Sequence, residues 1–519
     1  MVATVVLVLL VSTNHAAAQL FTPGNLLVSE STYTELPGNI TIGQALPGGG
    51  TATSDGTFAT VWNNETPDPS FGITSPITIN QITTSGALVN SLSIDSSLIT
   101  NSFSSKSELG LSLSTNGQYV TFMGYVAPPN TLDASNSNTP NHFDATNPVA
   151  SSDQRAVAQI DANGNLVVTP VNAYSGNNGR NAVLATNANG SGQNYYYMVG
   201  NAGNGSGTEP VNIVNNTGVQ MTTPSGSADT TVVGVQQGTP GASNGFQFGY
   251  SATQNGLAAD KSGKDNNFRG ETIFNNTLYT DKGSGGNGID TVYQVGTGGT
   301  LPTASNASSQ TISVLPGFPT ASAKLATSSS NPAFNPFGLY FANASTLYVA
   351  DEGDAVAADL TNGIDPNSGL EKWSLVGGVW QLDYTLKNGL ALGSTFSVGN
   401  LTGLANDGLR NLTGEVNANG SVTLFAVTAV IGNLTDVGAD PDALVSITDN
   451  LTATTLSQAA AEQFTSLQSA GVGQVIRGVS FTPNAVPEPS VYAVLLGTGV
   501  LGVAIWRRRV NSSASAAIL

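Results

Sequence analysis

One phrase returns along this chain, and its form limits the fold more than any other feature. Phe274-Asn-Asn-Thr-Leu278-Tyr279-Thr-Asp281-Lys-Gly283 and Thr346-Leu347-Tyr348-Val-Ala-Asp351-Glu-Gly353 are each a Thr-Leu-Tyr strand that ends on an acidic residue and a glycine. A second strand of shared form follows each: Gly288-Ile289-Asp-Thr-Val292-Tyr-Gln-Val295-Gly296 answers to Gly369-Leu370-Glu-Lys-Trp373-Ser-Leu-Val376-Gly377. Gly378-Val379-Trp380-Gln-Leu382 then supplies a further strand after a turn. Short alternating runs of β-branched and aromatic residues, punctuated by Gly, Asn and Ser, read as strands joined by tight turns.

Other copies are looser. Ser421-Val-Thr-Leu424-Phe425-Ala-Val427-Thr leads to Ala443-Leu444-Val445-Ser-Ile447-Thr, and Gln118-Tyr119-Val-Thr-Phe122 leads to Arg155-Ala-Val157-Ala-Gln-Ile160. Asp161-Ala-Asn163-Gly164-Asn165 and Asn417-Ala-Asn419-Gly420 each open a hairpin, because Asn-Gly readily takes positive φ. Ahead of the C-terminal tail, the one helical period is a weak one over Thr455 to Gly471. The body therefore reads as all-β, and strand, loop, strand, Asn-Gly turn, strand is the order of a propeller blade. A β-propeller buries each four-stranded sheet between its neighbours and closes into a ring, which suits many short strands in one domain. Roughly seven blades fit the body, residues 19–484. Closure requires one terminus to give a strand to a blade begun by the other. Asn25-Leu-Leu-Val28-Ser and Val475-Ile476-Arg477-Gly-Val479-Ser-Phe481 are the candidates. The alternative architecture is a β-solenoid, whose repeats are shorter and more uniform.

Composition argues against disorder and narrows the partners. Gly makes up 60 of 519 residues and only 9% are charged, yet 39% are hydrophobic and the aromatics sit inside the alternating runs. The net charge of −18 gives a field that repels phosphate backbones, so nucleic acid is not an expected partner. With Cys 0 there is no disulfide, thiolate nucleophile or Cys-ligated zinc. His15 lies near the N-terminus, and His142, between Pro140 and Asp144, reads as a solvated loop residue. A His-based triad or a multi-His metal site is hard to build from these.

The two ends carry export signals. Val2 to Val11 is apolar and is followed by Ser12-Thr13-Asn14-His15 and Ala16-Ala17-Ala18, the pattern of a signal peptide over residues 1–18. Ala16 and Ala18 are its small cleavage-site residues, with the cut after Ala18. No Lys or Arg precedes the run, as would follow from a start codon placed too far downstream. At the other end, Val486-Pro487-Glu488-Pro489-Ser490 precedes an apolar stretch, 491–506, and then Arg507-Arg508-Arg509. A transmembrane helix over that stretch covers about 24 Å at 1.5 Å per residue. That is short of the roughly 30 Å hydrocarbon core, so Trp506 and the arginines must sit at the interface. The arginines act as the cytoplasmic anchor and residues 511–519 form a cytoplasmic tail, with the Pro-Glu-Pro triplet and the body across the membrane. An ordinary permanent anchor is the competing reading.

These residues resemble the PEP-CTERM sorting signal of Gram-negative and related environmental bacteria: a Val-Pro-Glu-Pro motif, a short span and an Arg-rich end. The resemblance implies a sorting domain over 485–510, recognised through Val486, Pro487, Glu488 and Pro489. It also implies an exosortase-type processing enzyme and insertion in the inner membrane through the C-terminal helix. The precursor would then be delivered to the cell surface or extracellular matrix, where extracellular polysaccharide is a partner. It covers only the last few dozen residues and is silent on the activity of the body. Within the body, Thr346-Leu-Tyr-Val-Ala-Asp351, Leu370-Glu-Lys-Trp373-Ser and Arg477-Gly-Val-Ser-Phe481-Thr-Pro483 are similar to phrases of uncharacterised secreted bacterial β-propeller proteins, and that resemblance brings no catalytic residues with it.

Candidate chemistry is sparse. Asp351-Glu352-Gly353-Asp354, with Asp365 and Asn367 downstream, gathers the closely spaced oxygen ligands that Ca²⁺ prefers, without an EF-hand loop. In the plainer reading Asp351 caps a strand end, the rest are solvated loop charges, and the chain needs no cofactor. Glycoside chemistry needs two carboxyl groups about 5–9 Å apart. Asp351 and Asp407 are the candidates for them, with Arg410 and Arg477 as clamps. Trp62, Trp373 and Trp380 could stack on sugar faces, although alternating aromatics in blades more often pack the core. Gly283-Ser-Gly-Gly286-Asn-Gly288 lacks the Lys-Ser/Thr ending of a P-loop. The expectation is an exported, non-enzymatic propeller that acts as a structural or binding module. The alternative is an extracellular polysaccharide hydrolase or lyase with an acidic site at the propeller mouth. Converging carboxylates in the central pocket would favour the enzyme, and a plugged or apolar channel the module.

Overall fold

The computed structural model describes residues 19–33, 41–45, 51 and 72–485, apart from 146, 148, 150, 204–209, 215, 235–265, 284, 322 and 433–437. Six antiparallel sheets stand around a central axis as the blades of a propeller. The first blade is assembled from both ends of the body. Gln474–Phe481 is its innermost strand and pairs with Leu26–Thr32, Leu26 opposite Phe481, followed by Ile77–Ile82 and Leu88–Ser93. The second blade runs outward through Ser112–Leu113, Tyr119–Tyr125, Arg155–Asp161 and Leu166–Val171. The third is Gly179–Ala185, Tyr195–Gly200, Gly218–Thr222 and Thr231–Val232, and the fourth is Glu271–Phe274, Thr277–Lys282, Thr291–Val295 and Ile312–Val314. The fifth is Pro336–Asn343, Thr346–Asp351, Gly369–Val376 and Val379–Leu386. The sixth is built on Leu401–Val416, Ser421–Ile431, Ala443–Asn450 and Thr465–Ser469, with Thr395–Val398 added along the start of the innermost strand.

The period of two along the strands explains the ring. Leu26 and Val28 pack against Phe425 and Val427 of the sixth blade, while Leu27 between them packs against Val120 and Phe122 of the second. In the fifth blade Tyr348 and Ala350 face the sixth, and Leu347 and Val349 face the fourth. A blade strand thus buries both faces, each against a different neighbour. Every one of the junctions has its own apolar cluster, Met123 with Met198 between the second and third blades and Tyr197 with Tyr293 between the third and fourth among them. Each Leu, Ile or Val removed from water in this way contributes about 1.5–3 kcal/mol.

The recurring phrases occupy equivalent places, because Thr277–Lys282, Thr346–Asp351, Ser421–Ile431 and Tyr119–Tyr125 are all second strands of their blades. The two termini pair as expected, and that closure rules out a solenoid. The blades number six and not about seven. Thr74–Ser75 and Asn101–Ser102, short strands in the long connections, pair with each other outside any blade. The Asn-Gly turns are not equivalent either, since Asp161–Asn165 joins third to outer strand and Asn417–Gly420 joins innermost to second. Thr455 to Gly471 is not helical: it forms turns and the edge strand Thr465–Ser469, which pairs with Ala443–Ser446. Among the described residues helix is confined to single turns such as Val211–Val214 and Asp359–Asn362, and none is long and apolar enough to cross a membrane. The signal peptide with Ala16 and Ala18, the sorting residues from Val486 to Arg509, and the tail all lie outside the described residues.

Candidate functional site

The segment between the first and second blades crosses one mouth of the central channel. From Ser102 to Gly110 every residue is buried except Lys106, which is half-buried. So polar a segment, Ser-Phe-Ser-Ser-Lys-Ser-Glu, can be buried only if its groups are met, and partners arrive from all round the ring. Arg477 of the first blade donates to the Phe103 carbonyl at 3.0 Å, and Ser29 donates to the Leu109 carbonyl at 2.7 Å. Tyr125 of the second blade donates to Glu108 Oε1 at 2.5 Å, and Asn178 beside the third donates to Ser105 Oγ at 3.0 Å. Arg269, just before the fourth blade, donates to Ser107 Oγ. Glu352, just beyond the second strand of the fifth, takes Lys106 Nζ at 2.8 Å. Gly438 of the sixth lies against the Ser104 carbonyl so closely that a Cβ there would overlap it.

The charges in this plug are strongly perturbed. Glu352 is buried, which opposes its charge, but Lys106, Arg410 and Arg269 together hold its carboxyl down at about 2. Arg410 Nε lies 3.0 Å from Glu352 Oε2. Burial pushes Lys106 down to about 8 despite that partner, and burial pushes Glu108 up to about 7. Arg477 is paired with Asp442 at 3.2 Å. The two arginines expected as substrate clamps are therefore buried in structural ion pairs. This plug was missed by sequence reasoning, because the segment has no periodicity and its partners are scattered over the whole chain.

Beneath the plug, the six innermost strands enclose a cavity of about 310 Å³. Leu111, Asn181, Glu271 and Asn411 line its buried plug side, whereas Leu113, Thr272, Ile273, Tyr340 and Thr413 at the other side are half-buried, so it opens at the mouth opposite the plug. Glu271 is the one carboxyl in the lining, and burial drives it well above the usual carboxylate range.

The acidic residues at the end of the fifth blade sort into three roles. Asp351 accepts the backbone N–H of Asn335 at 2.8 Å and of Gly353 at 2.9 Å, capping the end of its strand. Glu352 belongs to the plug. Asp354 instead converges with Asp365 and with Asp407 of the sixth blade, carboxylate oxygens of all three lying within 4.8 Å of one another. Burial raises Asp365 to about 6 and Asp407 to about 7. A hollow of about 220 Å³ beside the plug, lined by Lys106, Gly283, Gly285, Gly286, Asp290 and Glu352, reaches Asp354. Of the earlier Ca²⁺ candidates, Asp351 and Glu352 are thus engaged elsewhere, Asp354 and Asp365 stay together, and Asp407 joins them.

Trp373 and Trp380 are core residues: Phe318 stacks on Trp373 with centroids 4.0 Å apart, and Phe341 meets Trp380 edge-on at 6.0 Å. Trp62 lies outside the described residues. His142 Nδ1 lies 3.1 Å from the Asn212 carbonyl and is the one imidazole among the described residues, His15 lying outside them.

The tail decides what can be said of the chain's route. Residues 485–509 match the family model of the PEP-CTERM protein-sorting motif. The chain ends in a PEP-CTERM sorting signal. Such a signal indicates export, a membrane-anchored sorting precursor and processing by exosortase. No curated protein matches the chain. Among solved structures, NanB sialidase from Streptococcus pneumoniae is similar over 76% of this chain and 66% of its own length, with 8% identity and a TM-score of 0.35. The hemagglutinin-neuraminidase of Parainfluenza Virus 5 is similar over 88% of this chain and 95% of its own, with 10% identity and a TM-score of 0.29.

Proposed function

We propose that the chain is an exported cell-envelope or extracellular-matrix protein whose propeller is a non-enzymatic structural or binding module. The observation that carries the reading is the direct succession of the ring-closing strand and the sorting signal. Gln474–Phe481 ends at the open mouth, Asn484 N–H donates to the Gly117 carbonyl at 2.7 Å, and the PEP-CTERM motif begins at 485. Residues 486–490 alone separate the body from the apolar stretch, at most roughly 20 Å of extended chain. In the anchored precursor the open mouth faces the membrane and the plugged mouth, with its acidic hollow, faces away from it. An acidic surface of few charges suits a hydrated polysaccharide matrix and repels its own copies.

A polysaccharide hydrolase or lyase would use two converging carboxyl groups. The central cavity offers Glu271, and the arginines that could orient a sugar acid are held by Glu352 and Asp442. These points support the module over the enzyme.

The test is the intact mass of the mature protein recovered separately from membrane and medium. Loss of everything after about Pro489, with product in the medium or matrix, is the expected result. A membrane-bound product that retains Arg507 to Leu519 would overturn processing and leave a tail-anchored propeller.

A further inference from the structure

We propose that Asp354, Asp365 and Asp407 form a Ca²⁺ site that ties the fifth blade to the sixth at the plugged mouth. Asp354 and Asp365 stand on the connection between the second and third strands of the fifth blade, and Asp407 stands on the innermost strand of the sixth. Their carboxylate oxygens lie within 4.8 Å of one another. Oxygens that share one Ca²⁺ lie no farther apart than about 4.6–5.2 Å, given Ca–O distances of 2.3–2.6 Å, so the three carboxylates can reach one ion; Mg²⁺ keeps several waters and is seldom held by a cage of protein carboxylates.

A second observation points to a ligand. Asp407 and Asp365 are both 0% exposed, and each is held by one oxygen only. Asp407 Oδ2 accepts Ala355 N–H at 2.7 Å and Asp365 Oδ2 accepts Asp354 N–H at 3.1 Å, while Oδ1 of each is buried without a hydrogen-bond partner. A buried carboxylate oxygen left this way carries its desolvation penalty uncompensated, and a hard cation is the partner that satisfies several at once. No protein cation does so in direct contact: Lys387, whose charge acts on Asp365 from farther off, donates its Nζ to the Pro366 carbonyl. Lys106 and Arg410 are spent on Glu352, and among the described residues no Lys, Arg or His lies within ion-pair distance of the three aspartates.

The backbone is shaped for this approach. Gly353 sits at φ +82°, and a Cβ on it would meet Asp407 Oδ2 at 2.2 Å; a Cβ on Gly408 would meet the Asp351 carbonyl at 2.3 Å. Glycine at both places lets the two blades close until their carboxylates share one point. Asp354, half-buried and bordering the 220 Å³ hollow, leaves a way in for the ion.

The experiment uses the full chain in detergent, stripped with a chelator and titrated with CaCl₂ by calorimetry and thermal unfolding, with MgCl₂ alongside. Saturable one-site binding and a raised midpoint are expected, the folded-to-unfolded ratio growing about 100-fold at a free Ca²⁺ 100 times the Kd. Asp354→Asn should keep the parent midpoint in chelator, since the amide retains an oxygen to accept Val356 N–H in an exposed turn, yet bind Ca²⁺ about tenfold or more weakly through loss of ligand charge. Asp407→Asn should abolish binding if it folds. Absence of any Ca²⁺ heat or shift in the folded parent, an equal response to Mg²⁺, or undiminished binding by Asp354→Asn would each overturn the assignment.

Discussion

At one mouth of the channel Lys106, Arg269, Arg410 and Arg477 meet Glu352, Asp442 and the polar segment from Ser102 to Gly110 in a buried lattice. At the other, the same six strands end on half-buried Leu113, Ile273, Tyr340 and Thr413 around an open cavity. The ring is continuous between them, so the difference lies in what fills it. Where charges are taken out of water they fix one arrangement, because breaking any pair strands its partner. Where Ser, Thr and Tyr face solvent, little energy depends on any one of them. The plugged mouth therefore locks the six blades, and the open mouth leaves space.

The sharpest way to break this comparison is Glu352→Ala, which leaves Lys106 and Arg410 without their shared carboxylate. Chemical denaturation should show a loss of about 3–5 kcal/mol; a loss under about 1 kcal/mol would mean that the plug is not the lock. Next in size is the response to pH. Glu108 at about 7, Asp440 at about 7, which lies between the second and third strands of the sixth blade within reach of the charges of Arg410 and Arg477, and Asp442 at about 6 all have folded values raised above the unfolded ones, with burial as the first cause. The sign follows: the folded state binds more protons, so this part of the stability is full below the unfolded values and is lost as pH rises through 6 to 7. The midpoint in chelator should fall from pH 5 to pH 8, and a flat or rising curve over that window would contradict the burial of these groups. Below about pH 4 the trend reverses, because Glu352 at about 2 must then be protonated in the unfolded chain first.

Smaller effects are expected inside the cavity and at its open mouth. Glu271→Gln should alter stability at pH 5 by within about 1 kcal/mol, since the native carboxyl is already protonated there, and should flatten the decline toward pH 8. Thr413→Ala should stay within about 0.5 kcal/mol. A cost at Thr413 comparable to that at Glu352 would erase the distinction between the two mouths.

The fold was legible where local pattern and tertiary role coincide. Thr-Leu-Tyr at Thr277–Tyr279 and Thr346–Tyr348 marks second strands because each must be apolar on both faces, and Val475–Phe481 with Asn25–Ser29 marks closure because neither run has a partner nearby in sequence. The blade count failed because pairing of short runs is decided by neighbours, and Thr465–Ser469 became a strand through the free edge of Ala443–Asn450 despite its helical period. Of the candidate site, Asp354 and Asp365 were legible as a pair and Asp407 by itself. Their meeting was not, since it depends on two glycines, Gly353 and Gly408, that let separate blades touch. The plug left no trace at all, as Phe103 and Arg477 are 374 residues apart.

The strand that closes the ring also carries the tail, and this has a mechanical consequence. Any force on the membrane anchor enters the propeller at Phe481, at the end of the pairing with Leu26. Load there is borne by one hydrogen-bonded pair at a time, as in a zipper, and travels inward from the open mouth. The last grip it meets is Arg477, held by Asp442 and the Phe103 carbonyl. Cutting the tail near Pro489 would remove that lever, so the released propeller would be a mechanically quieter object than its tethered precursor.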